Sequence, residues 1–417
     1  MTNEAKPVVY KSIDGKSPGY YLLLAVLASF ALAGAFSTFL MMEKGIYLSG
    51  MTNRVPWGLQ IVMAVFYIGL SAGSLVVSGL YGIFGKAEYK PFARLAAYIA
   101  MLFLIAGLLS IITDQGRVDR VFLEPFSHFN LKSMFSINPG LYMGHIMICI
   151  IYLWALFKEK YRLTKVASVV VVLWALAVHS GTGAIFAFVP RELYNSPLLP
   201  VAFVAAALSS GAALMIIVIT SLFRVTKRPL DVRLIIWLGR LLAVFIVVAA
   251  YVVMIENLHR VYIIGSREAA HYFLFGGFHS VLFWGGLMFV GSIIPVVLLF
   301  KRKTGTSVRW IVFASTLVVF GVMCERYLIV IPGLVHPPNL IPGMEITSSA
   351  ITEGIAVYRM SFLEILQALG VLSTIGFLFV LGLKYFDLLP TEARVYVESQ
   401  MLKHVMPKAE DAVQIAK

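Results

Sequence analysis

Residues 57–84 read WGLQIVMAVFYIGLSAGSLVVSGLYGIF and contain no charged side chain from end to end. At 1.5 Å of rise per helical residue, this stretch is long enough to cross about 30 Å of hydrocarbon. Stretches of similar length and apolarity lie on either side of it, at 20–42, 95–113, 141–157, 166–188, 201–223, 234–255, 272–300, 310–331 and 361–386. The 417 residues are 60% hydrophobic and 13% charged, with a mean hydropathy of +0.88, outside the range of ordinary soluble domains. The expected fold is therefore an all-α polytopic membrane protein with ten transmembrane helices. The first span follows a polar stretch without a small-residue cleavage site, which predicts a retained helix rather than a signal peptide.

Ten spans put both ends of the sequence on one side. Of the 34 Lys and Arg, 23 fall at the ends and loops of that side, 10 on the other, and Arg240 lies within the seventh span, counting Lys384 and Arg326 with the ends they approach. The positive-inside rule then places both termini in the cytoplasm. The formal charge of +13 is thus a topological signature and does not indicate nucleic acid binding. The two cysteines, Cys149 and Cys324, fall inside spans without Cys-x-x-Cys spacing, too few for an iron–sulfur cluster on this chain.

Spans two to five and six to nine read as two parallel four-helix repeats related by an axis along the membrane normal, with spans one and ten peripheral. Gly69-Leu-Ser-Ala-Gly73 corresponds to Ala207-Leu-Ser-Ser-Gly211, both small-residue faces that permit close backbone approach. Asp114-Gln-Gly-Arg117 corresponds to Glu256-Asn-Leu-His-Arg260, and His145 to His279. The expected division is 1–56 (cytoplasmic N-terminus and first helix), 57–188 and 189–332 (the repeats), 333–386 (outer loop and tenth helix) and 387–417 (a cytoplasmic tail, read as a surface helix).

The ionisable residues within the spans crowd toward the outer side. His128, His145, His179, His259, His271, His279 and His336 map there, leaving His404 in the tail. Glu43, Asp114, Arg117, Glu256, Glu325, Arg326 and Glu364 follow the same rule. Snorkelling to the interface or pairing with neighbours accounts for Glu43, His271 and Glu364, but snorkelling would decorate both interfaces equally. A charge in hydrocarbon costs about 2.5–3.5 kcal/mol and usually marks a substrate or proton path. An Asp114 carboxylate beside the imidazoles of His145 and His179 suits proton transfer, although each histidine could equally be a satisfied core residue. Trp57 and Gly58 open the second span on the same side and offer a wall and a gap for a flat ring, unless Trp57 is only an interfacial belt residue. A lipophilic ring, proton-exchanging groups and access from the bilayer together describe a quinone site, with the redox centres left to a partner subunit. A transporter-like or proton-translocating module, a haem b anchor using His145 and His179, and a plain anchor are the competing readings.

At these residues the chain resembles the NrfD / polysulfide-reductase membrane-subunit family. The resemblance rests on Val55-Pro-Trp-Gly58 leading to Ser71-Ala-Gly73, Asp114-Gln-Gly-Arg117-Val-Asp-Arg120, His179-Ser180, Phe188-Val-Pro-Arg191 and Leu199-Pro200. The stretch from Cys324 to Gly333 is similar to a longer ten-helix branch serving Dsr and Hdr-like menaquinol-oxidising complexes. The resemblance implies a subunit that is not catalytic alone and carries no haem or cluster. It implies that this subunit binds menaquinone near the outer surface, beside a ferredoxin-like iron–sulfur subunit and further membrane and cytoplasmic subunits, in anaerobic respiration or sulfur metabolism. Position by position it favours Trp57, Asp114, Arg117 and His179; Gly58 and His145 come from the residues themselves. Gly181-Thr-Gly-Ala-Ile185 lacks the acidic residue some members carry, which leaves Glu256 or Glu325 as substitute proton groups.

Overall fold

The computed structural model describes residues 8–120, 129–336 and 354–393. His128, His404, most of the long loop before the tenth span and the tail from 394 onward lie outside the described residues. Within them, ten helices are long and apolar enough to cross a membrane: α1 Pro18–Lys44, α2 Leu59–Gly82, α3 Ala87–Asp114, α4 Met134–Phe157, α5 Tyr161–Ala187, α6 Leu199–Val225, α7 Val232–Tyr262, α8 Gly277–Phe300, α9 Val308–Val335 and α10 Phe362–Tyr385. The protein is thus a multi-pass membrane protein.

Helices α2 to α5 pack in a closed ring, α2 on α3, α3 on α4, α4 on α5 and α5 back on α2. The same cyclic order joins α6, α7, α8 and α9. The two rings meet where α2 packs on α6 and α9, and α5 on α6. Helix α1 pairs with α10, which docks on α2 and α3. At the centre of the α2–α6 contact the two small-residue faces touch each other. A Cβ on Gly73 would fall 2.8 Å from the Gly211 Cα and onto the Ala207 carbonyl, so only glycine permits this approach. Gly69 takes no part, having nothing within 4 Å of such a Cβ.

Three helices start or end beyond the hydropathy limits at a polar residue that is buried and hydrogen-bonded. Helix α3 begins before Leu95 because Arg94 is buried, donating to the Leu156 carbonyl (3.0 Å) and the Asp387 carbonyl (3.1 Å). Helix α4 begins seven residues before Leu141, and Asn138 is held there by donation to Met134 O (2.8 Å) and Gly181 O (3.0 Å). Helix α7 runs on to Tyr262 through an i,i+4 ion pair, Glu256–Arg260. The expected eighth span is broken at Gly276–Gly277, where Gly277 has φ +57°, into a short helix Ile264–Phe275 and α8. Within α8, Leu282–Ile293 is wound as a π-helix.

The face bearing both ends of the described residues, called the terminal face, is tied together by backbone. Lys11 N donates to Leu389 O (2.9 Å) and Thr391 N to Val9 O (2.9 Å). The Arg228 guanidinium donates to Leu389 O (2.9 Å), Pro390 O (3.0 Å) and Lys11 O (2.9 Å). The described start of the tail, through Ala393, is therefore an extended strap with isolated bridges, and the rest of the expected surface helix lies outside the described residues. The opposite end of the bundle is called the distal face.

The glycine contact yields a paired expectation. Gly73→Ala should lower the thermal midpoint of the purified protein in detergent by an amount matching about 1–3 kcal/mol of overpacking, while Gly69→Ala leaves it unchanged. Equal behaviour of the two variants would contradict the packing described.

Candidate functional site: a cavity among α2, α3, α4 and α5

A cavity of about 700 Å³ opens between the distal halves of α2, α3, α4 and α5. Its walls are apolar, built from Ile61, Val65 and Ile68 of α2, Ile111 of α3, and Ile185 and Phe186 of α5. Phe129, Phe135 and Met143 line it and are also exposed on the outside of the molecule, so its mouth is apolar and lies on the flank of α4.

Trp57 forms one wall. Its ring stacks on Tyr194 (centroids 6.4 Å apart, planes at 20°) and meets Phe186 edge-on at 5.6 Å. Tyr194 is itself fixed, donating its hydroxyl to the Val330 carbonyl of α9. Trp57 is therefore a packed wall and not a belt residue.

Asp114, the last residue of α3, lines the cavity and is 7% exposed. The backbone N–H of Gly58 is directed at its carboxylate, and its Oδ1 has no hydrogen-bond partner among the described residues. Asn138 commits both amide hydrogens to carbonyls, which leaves its buried Oδ1 without a donor there. Thr182 donates to Val178 O (2.7 Å), so the Tyr142 hydroxyl must donate to Thr182 Oγ1 (3.0 Å). The Tyr142 oxygen keeps its lone pairs for the cavity. The fixed polar atoms of Asp114, Asn138 and Tyr142 are thus all acceptors.

Gly58 is wedged between Asp114 and a second carboxylate. Glu364, at the start of α10 and 1% exposed, accepts hydrogen bonds from Gly50 N (2.9 Å), Leu59 N (3.2 Å), Ser361 N (2.8 Å) and the Tyr358 hydroxyl (2.8 Å). A Cβ on Gly58 would strike Glu364 Oε1. Of the two expected roles, Glu364 takes pairing with neighbours rather than snorkelling, and it holds the turn that carries Trp57 and Gly58 against the cavity. Ser361 and Glu364 form a capping box, and Ser-x-x-Glu before an apolar run was a legible signal for it. Asn138, Tyr142 and Thr182 were also missed; the spacing of Asn138, Tyr142 and His145 on one face of α4 was the available clue.

The histidines sit deeper. His145 is eleven residues into α4, fully buried, and neither ring nitrogen has a partner among the described residues. His179 is 2% exposed, its Nδ1 3.2 Å from Ala175 O. The two are within electrostatic reach of each other, but neither lines the cavity. His145 falls at the midpoint of α4, because the helix starts earlier than its hydropathy, and it therefore lies deeper than the cavity. Arg117 is turned away, paired with Asp119 at 2.8 Å on the exposed surface, where its guanidinium holds the Asp119 carboxyl below the usual carboxylate range.

The second set lies apart from this cavity. Glu256 is committed to Arg260 at 2.6 Å, and Arg260 donates also to Leu193 O (2.7 Å). The His279 ring packs against Tyr272 (6.0 Å) and Tyr327 (6.2 Å). Glu325 lines a much smaller cavity between α6 and α9. His336 pairs with Glu192 at 3.4 Å. Glu43, His259 and His271 are exposed, as is Arg240, which rests 5.4 Å from the Trp237 ring. Among the described residues, no group of three or more His, Cys, Asp or Glu is placed to hold a metal ion.

A family model described as polysulphide reductase, NrfD, matches residues 47–338. An Hdr-like menaquinol oxidoreductase integral membrane subunit of Archaeoglobus fulgidus is 40% identical over 93% of this sequence and 98% of its own length. The C subunit of the selenate reductase of Mesobacillus selenatarsenatis is 29% identical over 76% and 83% respectively. Protein NrfD of Escherichia coli is 24% identical over 67% and 96%. Glu364 and α10 lie beyond the residues matched by the family model, yet they shape the cavity.

Glu364→Ala should lower stability by about 2–4 kcal/mol, since it strands buried donors, and should make Trp57 more accessible to a soluble quencher. Unchanged melting and unchanged tryptophan quenching would contradict its anchoring of the turn.

Proposed function

The chain belongs to the NrfD family of polysulphide reductase membrane subunits, and we propose that it is the quinone-interacting integral subunit of a multisubunit respiratory or sulfur-metabolism oxidoreductase. In this reading it serves electron exchange between menaquinol and a ferredoxin-like iron–sulfur partner subunit. The observation that carries the reading is the cavity: its volume falls within the 300–1,000 Å³ of small-molecule sites, its mouth is apolar, and Asp114 Oδ1 inside it lacks a partner among the described residues.

The buried polar groups favour the reduced ring, although Trp57, Gln115 and Ser136 also line the cavity with groups able to donate. Asp114, Asn138 and Tyr142 present acceptors, which match the hydroxyl groups of a quinol better than the carbonyls of a quinone. A bound quinol supplies two electrons and two protons. Trp57 provides the flat wall, while Asn138 and Tyr142 orient the hydroxyl groups. Asp114 acts as the base for one proton and, ending α3 at the distal face, can release it to water without crossing the bilayer. His145 and His179 lie beneath the floor as further proton-accepting groups. The excess of Lys and Arg on the terminal face supports a cytoplasmic location for both termini in the inner membrane and puts the cavity near the outer surface. An iron–sulfur partner would then dock on the distal face, because two separated cysteines cannot hold a cluster here. In the same reading α2–α5 and α6–α9 are two copies of one unit, with residues 1–56, 333–386 and 387–417 added around them.

Asp114→Asn should leave the complex assembled while slowing oxidation of a menaquinol analogue by about 10²–10⁴-fold, the usual worth of a general base. Unchanged turnover in the assembled variant would remove Asp114 from this role. Tyr142→Phe should raise KM for the quinol about five-fold, one hydrogen bond's worth, with kcat little altered; a kcat loss at constant KM would contradict an orienting role.

A further inference from the structure

The second helix ring contains buried polar chemistry that the quinol reading does not use. Arg326 is the largest fully buried side chain among the described residues. Its guanidinium lies over the Phe203 ring, 4.4 Å from the centroid, and none of its three nitrogens has a hydrogen-bond partner among those residues. Its neighbour Glu325 is 5% exposed, and Oε1 is likewise without a partner there. Consecutive residues of α9 point to different sides of the helix. Arg326 faces α6 and lies within electrostatic reach of His179, whereas Glu325 faces the interior of the second ring.

There Glu325 lines a cavity of about 20 Å³ together with Ser209 of α6 and Ser292 of α8. That volume accepts roughly one water molecule, since about 10–15 Å³ suffices for one. Ser209 Oγ donates to Ala206 O (2.9 Å), and Ser292 Oγ donates to Leu287 O (3.0 Å), five residues back along the π-helical turn. With both hydroxyl hydrogens spent on the backbone, the two serine oxygens and the carboxylate are all acceptors. Such a lining suits a small species that can donate hydrogen bonds. Three side chains are too few to replace the six to eight oxygen ligands of a hard divalent cation such as calcium. The π-helix that places Ser292 here is a rare form frequently found at functional sites.

We propose that Glu325, Ser209 and Ser292 form an internal proton-holding site occupied by one water molecule, separate from the quinol cavity. The water donates to Glu325 and to a serine oxygen. Uptake of one proton from solvent converts the Glu325 carboxylate to a carboxylic acid, forming one O–H bond and changing the charge of the Glu325–Arg326 couple from zero to plus one. Glu325 is the only titratable group lining the cavity among the described residues. Glu256 of α7, held by Arg260, lies within electrostatic reach of it. The facing parts of α6 and the π-helix contribute serine hydroxyls only.

Infrared difference spectra after a pH jump, recorded on the full-length protein in lipid nanodiscs in H₂O and D₂O without added quinone, test the site independently of the quinol reading. Acidification should produce a protonated-carboxyl C=O band that shifts in D₂O, is absent from Glu325→Gln, and moves in frequency in Ser209→Ala and Ser292→Ala. The same set of bands in Glu325→Gln as in the unaltered protein would overturn the assignment. Because the serine variants leave both charges in place, they also decide the matter if Glu325→Gln does not assemble. Acid-induced bands unmoved by either serine substitution would overturn the water-filled site.

Discussion

A carboxylate buried among apolar helices costs several kcal/mol unless partners compensate it, and this protein buries four among its described residues, Asp114, Glu256, Glu325 and Glu364. Their compensation divides them. Glu364 accepts four hydrogen bonds and Glu256 is paired with Arg260, so both are spent on holding elements in place. Asp114 and Glu325 each keep an oxygen without a partner among the described residues, and each lines a cavity. Satisfied carboxylates build this molecule, and the unsatisfied ones face the spaces where a ligand, water or proton can enter.

This division links the peripheral helices to the site. Glu364 belongs to α10, which packs with α1 outside both four-helix rings, yet its carboxylate fastens the turn from Gly50 to Leu59. The turn sets Trp57 on Tyr194 and directs the Gly58 amide at Asp114. A helix that looks like an addition therefore stands directly behind the wall of the cavity. The missing Cβ of Gly58 is what allows two carboxylates to approach the same short turn from opposite sides.

The number and order of the membrane helices were legible because an apolar run long enough to span a bilayer has few soluble alternatives. Their ends were less so. Arg94, Asn138 and the Glu256–Arg260 pair each fell outside the apolar runs, since hydropathy counts a polar side chain without knowing that a partner elsewhere in the fold or in its own helix bonds it. Within the candidate site, Trp57, Gly58 and Asp114 were readable as the ends of spans two and three, and they do meet around one cavity. Tyr142, Thr182 and Asn138 were not, because hydroxyls and amides in a membrane helix usually bond their own backbone, and only their convergence in space makes a polar floor. Arg117 misled for the opposite reason: Asp119, two residues on, offers it a partner at the surface.

A quinol held in the space between α2, α3, α4 and α5 would place its ring within reach of a few short segments and of nothing in the second ring of helices. Photolabelling of the intact membrane complex with an azido-quinone, followed by peptide mapping, reads this directly. Labelled residues should fall in 57–68 and 135–143, with labelling suppressed by excess unlabelled menaquinol analogue. Competable labelling confined to α7, α8 or α9 would contradict a quinol in this cavity.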